Sequence, residues 1–179
     1  LPICLEGDTE SSFFKEISMF SIRSVLAVLC VTPLVAATAG EVPLTGSWTL
    51  VQADVLFPDG RQAHDYGEAP KGLLIIDAQG HYSLQIFNSA RPKFASGDKA
   101  KGTAEEYKAD VMGISTHFGT IDVDTMAHVL TLHMDGASFP NQEGGVQKRF
   151  YELKGDELSY KVEPRSDGSI PISVWRRLK

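Results

Sequence analysis

The chain has 179 residues, of which 42% are hydrophobic and 22% charged, with a formal net charge of −6. This is the composition of one globular domain with one core, and it excludes a disordered, collagenous or coiled-coil chain. A pI near 5.3 leaves no basic footprint for nucleic acid or anionic lipid, so no nucleic-acid partner is expected.

The first feature along the chain is the apolar run Val25 to Val35, preceded by Arg23 and followed by the small residues Ala36-Ala37-Thr38-Ala39. A membrane span needs about 20 apolar residues, so this shorter run reads as a secretory signal peptide, with cleavage expected after Ala39 at the A-x-A pattern. Met19 is the natural start of such a signal. Residues 1–18 therefore read as an upstream extension, 19–39 as the signal, and 40–179 as an exported domain without stable membrane insertion. Both cysteines, Cys4 and Cys30, precede the cut, so the exported domain is expected to be held by packing alone, without disulfides.

After Gly40 short alternating runs separated by turn residues predict eight strands. They are Gly46–Val55, Gly72–Asp77, His81–Phe87, Ile114–Val123, His128–Asp135, Val146–Leu153, Glu157–Val162 and Ile170–Arg177. Asp77-Ala78-Gln79-Gly80, Lys154-Gly155-Asp156 and Ser166-Asp167-Gly168 supply tight turns, so neighbouring strands should pair antiparallel. One segment breaks the rhythm. Thr103 and Glu106 form a capping box ahead of Tyr107, Val111 and Met112 at helical spacing, which predicts one short helix. The polar stretch Asn88 to Gly102 before it reads as a long loop able to lie over a barrel mouth.

The residues at the two ends of this pattern carry a resemblance. Gly46-Ser47-Trp48 opens the first strand and Trp175-Arg176-Arg177 closes the last, as in lipocalins, where an Arg from the final strand covers a Trp at the closed end. The wider set is His64-Asp65-Tyr66-Gly67 with Gly72-Leu73-Leu74-Ile75, Gln85, Arg91 to Asp98, His117-Phe118-Gly119-Thr120, and His133 with Phe139-Pro140-Asn141. With these, the chain from Gly46 onward resembles the bacterial and fungal lipocalin-like domain family, which is distinct from the animal lipocalins. Gln142 stands where an aromatic or other hydrophobic residue usually follows Pro-Asn, and His117 where Tyr is common. The resemblance implies an all-β, eight-stranded antiparallel up-and-down barrel with one short helix and an internal pocket.

Trp48 alternates with Leu50, so burial of its indole is expected, with Arg176 or Arg177 over the ring. Polar residues within apolar strands are the candidate ligand contacts: Gln85 between Leu84 and Ile86, His133 between Leu132 and Met134, and Arg149 beside Phe150 and Tyr151. Alternation along a single strand permits either face for each. Tyr66, Arg91 and His117 join them through the resemblance, giving Tyr66, Gln85, Arg91, His117, His133 and Arg149 as expected ligand-binding residues. The five histidines show no metal-ligand spacing, and whether His117 and His133 share a face depends on the length of the turn after Asp124. No metal or cofactor is expected. The expected partner is a small, largely apolar organic molecule in the lumen; the oligomeric state stays open. No G-x-S-x-G elbow, P-loop or dinucleotide fingerprint is present. The alternative is an isomerase, cyclase or dehydratase using His133, Tyr66 or His117 in acid–base catalysis.

Overall fold

The computed structural model describes residues 43–179. The predicted signal peptide, the upstream extension and both cysteines lie outside the described residues.

The elements are β1 (Gly46–Leu56), β2 (Gln62–Ala63), β3 (Lys71–Ile76), β4 (His81–Phe87), α1 (Ala104–Met112), β5 (Ile114–Asp124), β6 (Val129–Ala137), β7 (Val146–Lys154), β8 (Glu157–Val162) and β9 (Ile170–Arg177). β1 and β3 to β9 pair in chain order, all antiparallel, and β9 returns to β1. The result is a closed, eight-stranded up-and-down barrel, and closure leaves none of those eight strands with a free edge. β2 was not foreseen; it adds two residues against Val55 and Leu56 of β1.

Turn chemistry explains why the chain reverses where it does. After β3, the Asp77 carboxylate accepts from the backbone N–H groups of Gln79 and His81, and Gly80 takes φ +84°, a left-handed conformation that costs glycine nothing. After β5, Asp124 accepts from the N–H of Met126 and Ala127. That connection runs to Val129, the partner of Asp124, so residues 125–128 form the turn.

Two irregularities reset the side-chain parity. β1 shifts register against β9 between Leu50 and Gln52. β5 and β6 shift between Phe118 and Gly119, where Gly119 pairs with Met134 and Phe118 with Gly136, leaving Asp135 as the extra residue. At Gly119 a Cβ would collide with the His133 carbonyl oxygen, so only glycine allows the two strands to approach this closely.

The helix forms as its cap dictates. Thr103 accepts from the Glu106 N–H while Glu106 reaches back to the Thr103 N–H. Its apolar residues do not dock into the core, however, and none of the helix is buried. Tyr107 instead packs edge-on against Phe94 of the preceding loop, ring centroids 5.3 Å apart.

The barrel's closed end carries the connections β3–β4, β5–β6 and β7–β8 and is sealed by Trp48, which is fully buried. Its Nε1–H donates to the Leu44 carbonyl at 3.1 Å. The Arg177 guanidinium lies over the indole, 4.0 Å from the ring centroid, and donates to the Thr45 carbonyl at 2.6 Å. Of the two candidate arginines, therefore, Arg177 is the cover. Arg176, one residue out of phase on β9, is exposed and faces Glu157.

Candidate functional site

The opposite half of the barrel is not filled. A cavity of about 380 Å³ is walled by inward-facing residues of β1, β4, β5, β7, β8 and β9 and rimmed by Asp65, Tyr66, Gln142 and Arg165. Its apolar wall includes Leu84, Ile86 and Val162, and its polar wall includes His117, Gln147, Arg149 and Tyr160.

The polar wall is a connected set. Adjacent inward positions of β4 and β5 bring Tyr82 and His117 together, with the Tyr82 hydroxyl 2.8 Å from His117 Nδ1. On β7 the alternation Gln147, Arg149, Tyr151 turns all three side chains inward. Arg149 Nη2 is 3.0 Å from His117 Nε2 and 3.1 Å from Gln147 Oε1, and the guanidinium lies 4.8 Å from the centroid of the Tyr160 ring. A guanidinium can only donate, so His117 Nε2 must accept. The imidazole is then the Nδ1–H tautomer and donates that proton to the Tyr82 oxygen.

Electrostatics point the same way. Burial, reinforced by the Arg149 charge, depresses the His117 pKa to about 3. Burial likewise raises the Tyr82 hydroxyl to about 12, against the lowering pull of Arg149. At neutral pH both groups are uncharged, and the one lone pair His117 could use as a base is already taken by Arg149. At the rim, burial raises the Tyr66 hydroxyl above its usual range although it hydrogen-bonds with Ser115.

Residues 45–178 match the family described as the lipocalin-like domain. The chain belongs to that family. No curated protein matches this lipocalin-like chain. Among solved structures, a "REP1-NXSQ fatty acid transporter" aligns over 76% of this chain and 96% of its own, with 14% sequence identity and a TM-score of 0.36.

The lipocalin-like barrel brings together three of the six expected ligand contacts, Tyr66, His117 and Arg149, around one cavity. It separates the other three. Gln85 is exposed on the outer wall beside Thr116 and Phe118. His133 is also on the outer wall, 45% exposed, with Nε2 3.1 Å from Asp122 Oδ2. His117 and His133 thus face opposite sides, and neither His133 nor Gln85 can orient a ligand in the lumen. The reason is parity: each is flanked along its strand by buried residues that take the inward positions. Arg91 is a strut. It binds Asp110 of α1 at 2.7 Å and lies over the Phe87 ring, fastening the long loop to the helix. That β4–β5 connection emerges at the open end, but none of its residues lines the cavity, so in this conformation it stands beside the mouth rather than over it.

Tyr82, Gln147 and Tyr160 complete the site and were not singled out from the sequence. Their signal was present in part: on β7 the polar-tipped Gln147, Arg149 and Tyr151 recur at every second position, whereas Tyr82 and Tyr160 share their inward faces with aliphatic residues. The histidines outside the lumen are dispersed, His64 on Asp54, His81 on Asp77 and His128 against Tyr151. Among the described residues no group of three or more His, Cys, Asp or Glu is placed to hold a metal ion.

Proposed function

We propose that this lipocalin-like barrel binds a small organic molecule with a largely apolar body in its lumen, and that it does so outside the cytoplasm. The observation that carries the reading is the cavity itself, about 380 Å³, room for about a dozen waters at their liquid share of about 30 Å³ each. It lies in the half of the barrel opposite the Trp48 plug and is lined partly by aliphatic side chains and partly by polar ones, the His117–Arg149 cluster among them. That division suits a ligand whose body is desolvated while a few fixed groups orient it. Export rests on the apolar run, the preceding Arg23 and the A-x-A pattern before Gly40. The alternative of acid–base catalysis draws no support from His117, which is too weak a base and already hydrogen-bonded through both nitrogens.

The test is a titration with N-phenyl-1-naphthylamine, a neutral apolar fluorophore. Saturable enhancement, lost when Leu84→Trp fills the lumen in a protein that still unfolds cooperatively, supports the reading. Absence of saturable binding to the wild type overturns it. N-terminal sequencing of exported material should begin within a few residues of Gly40, and a cytoplasmic protein retaining Met19 would overturn the export claim.

A further inference from the structure

Arg149 is 4% exposed, yet among the described residues its polar contacts are neutral: the imidazole of His117, the amide oxygen of Gln147 and the ring face of Tyr160. Its Nε is buried without a hydrogen-bond partner among the described residues, and so is the Tyr160 hydroxyl. Both residues line the cavity. A guanidinium stays charged at any working pH, and a buried charge without a counter-charge is costly. The cation–π contact with Tyr160 offsets part of that cost. Charge neutralisation must come from elsewhere.

The carboxylates around the cavity do not supply it. Asp65 is bound to Arg165 at 2.6 Å. Asp54 is buried and accepts from Gln52, Gln62 and His64; burial alone would raise its pKa, but these bonds outweigh it and hold the carboxyl below its usual range. Glu163 is exposed at the rim. The wall of the lumen therefore holds one cation without a counter-charge and one hydroxyl without a partner, while its carboxylates are engaged by other groups or lie at the rim.

We infer that the ligand of this lumen carries a single carboxylate, and that Arg149, with the Tyr160 hydroxyl beside it, receives that group while the apolar body lies against Leu84, Ile86 and Val162. This rests on the lumen-binding reading and narrows it to a monocarboxylic amphiphile. A hydrogen bond from a guanidinium to a carboxylate is charge-assisted and stronger than a neutral one, and Arg149 Nε–H has no partner among the described residues. A phosphate monoester would bring close to a second negative charge, and the nearby Arg165 is already committed to Asp65. His117 has no proton to spare for the ligand, because its Nδ1–H goes to Tyr82 and its Nε2 accepts from Arg149. Its part is to hold the guanidinium in place, which makes it a positioning residue.

The experiment displaces N-phenyl-1-naphthylamine from the protein with decanoate and with decanol, which differ only at the head group. The wild type should release the fluorophore at roughly tenfold lower decanoate than decanol, a difference of about 1.4 kcal/mol. In Arg149→Gln the two should become equipotent, and Tyr160→Phe should narrow the gap severalfold. Equal potency in the wild type, with the fluorophore bound and displaced, overturns the carboxylate inference and leaves the lumen reading standing. A gap that persists in Arg149→Gln overturns the role of Arg149. Failure of the wild type to bind the fluorophore or either competitor overturns both.

Discussion

The two ends of the barrel are each built on an arginine laid over an aromatic ring, and they serve opposite ends. At the closed end Arg177 sits 4.0 Å over Trp48, and the ring nitrogen and a guanidinium nitrogen both find backbone carbonyls. In the open half Arg149 sits 4.8 Å over Tyr160, and the tyrosine hydroxyl and Arg149 Nε find no partner among the described residues. A pair whose polar tips are satisfied within the chain is a plug. The same pair left unsatisfied beside a cavity is a seat, because the missing partner can be supplied from outside.

The contrast can be broken most strongly at the plug. Trp48→Ala empties a fully buried indole site and should cost about 3–5 kcal/mol; denaturant unfolding checks it, and a loss below about 1 kcal/mol would show that the closed end is not what holds the barrel.

Next in size is the acid response of the seat. His117 has a folded pKa of about 3 against an ordinary value of 6.5, so the unfolded chain takes the proton first. The stabilisation is complete above pH 6.5 and is lost as the pH falls toward 3, on the order of 3 kcal/mol between pH 7 and 4. His64 runs the other way: its hydrogen bond to Asp54 and the charges of Glu68 and Asp54 raise its pKa. Its contribution is therefore present below pH 6.5 and lost as pH rises through the raised value. Urea midpoints of His117→Gln and wild type across this range isolate the first effect, and the variant should lose much less stability on acidification.

A smaller difference compares the two arginines directly. Arg177→Met removes a satisfied cation–π contact and a hydrogen bond and should cost about 1–2 kcal/mol. Arg149→Met also removes hydrogen bonds, those to His117 and Gln147, but relieves an uncompensated buried charge, so the empty protein should melt no lower than wild type. Equal losses in thermal unfolding would erase the distinction between plug and seat. The smallest effect is expected outside both ends. His133→Ala and Gln85→Ala, on the outer wall, should leave fluorophore binding unchanged and stability within about 0.5 kcal/mol.

Much of this architecture is written locally. The eight barrel strands, the Asp77–Gly80 turn, the Thr103–Glu106 capping box and the burial of Trp48 follow from period-two alternation, side-chain-to-backbone hydrogen bonds and the volume of an indole, each acting within a few residues. Those signals act over the same short range in the unfolded chain as in the barrel, so they can be read before folding. Which face is inside cannot be read that way, since a period of two is unchanged by moving every side chain to the opposite wall. Closure of β9 on β1 and the register shifts at Leu50/Gln52 and Phe118/Gly119 settled it, selecting Arg177 over Arg176 and sending Gln85 and His133 outward. The Tyr82–His117–Arg149 chain is tertiary for the same reason: its hydrogen bonds join residues 35 and 32 positions apart, which the pairing of β4 with β5 and the curvature that brings β7 toward β5 make neighbours.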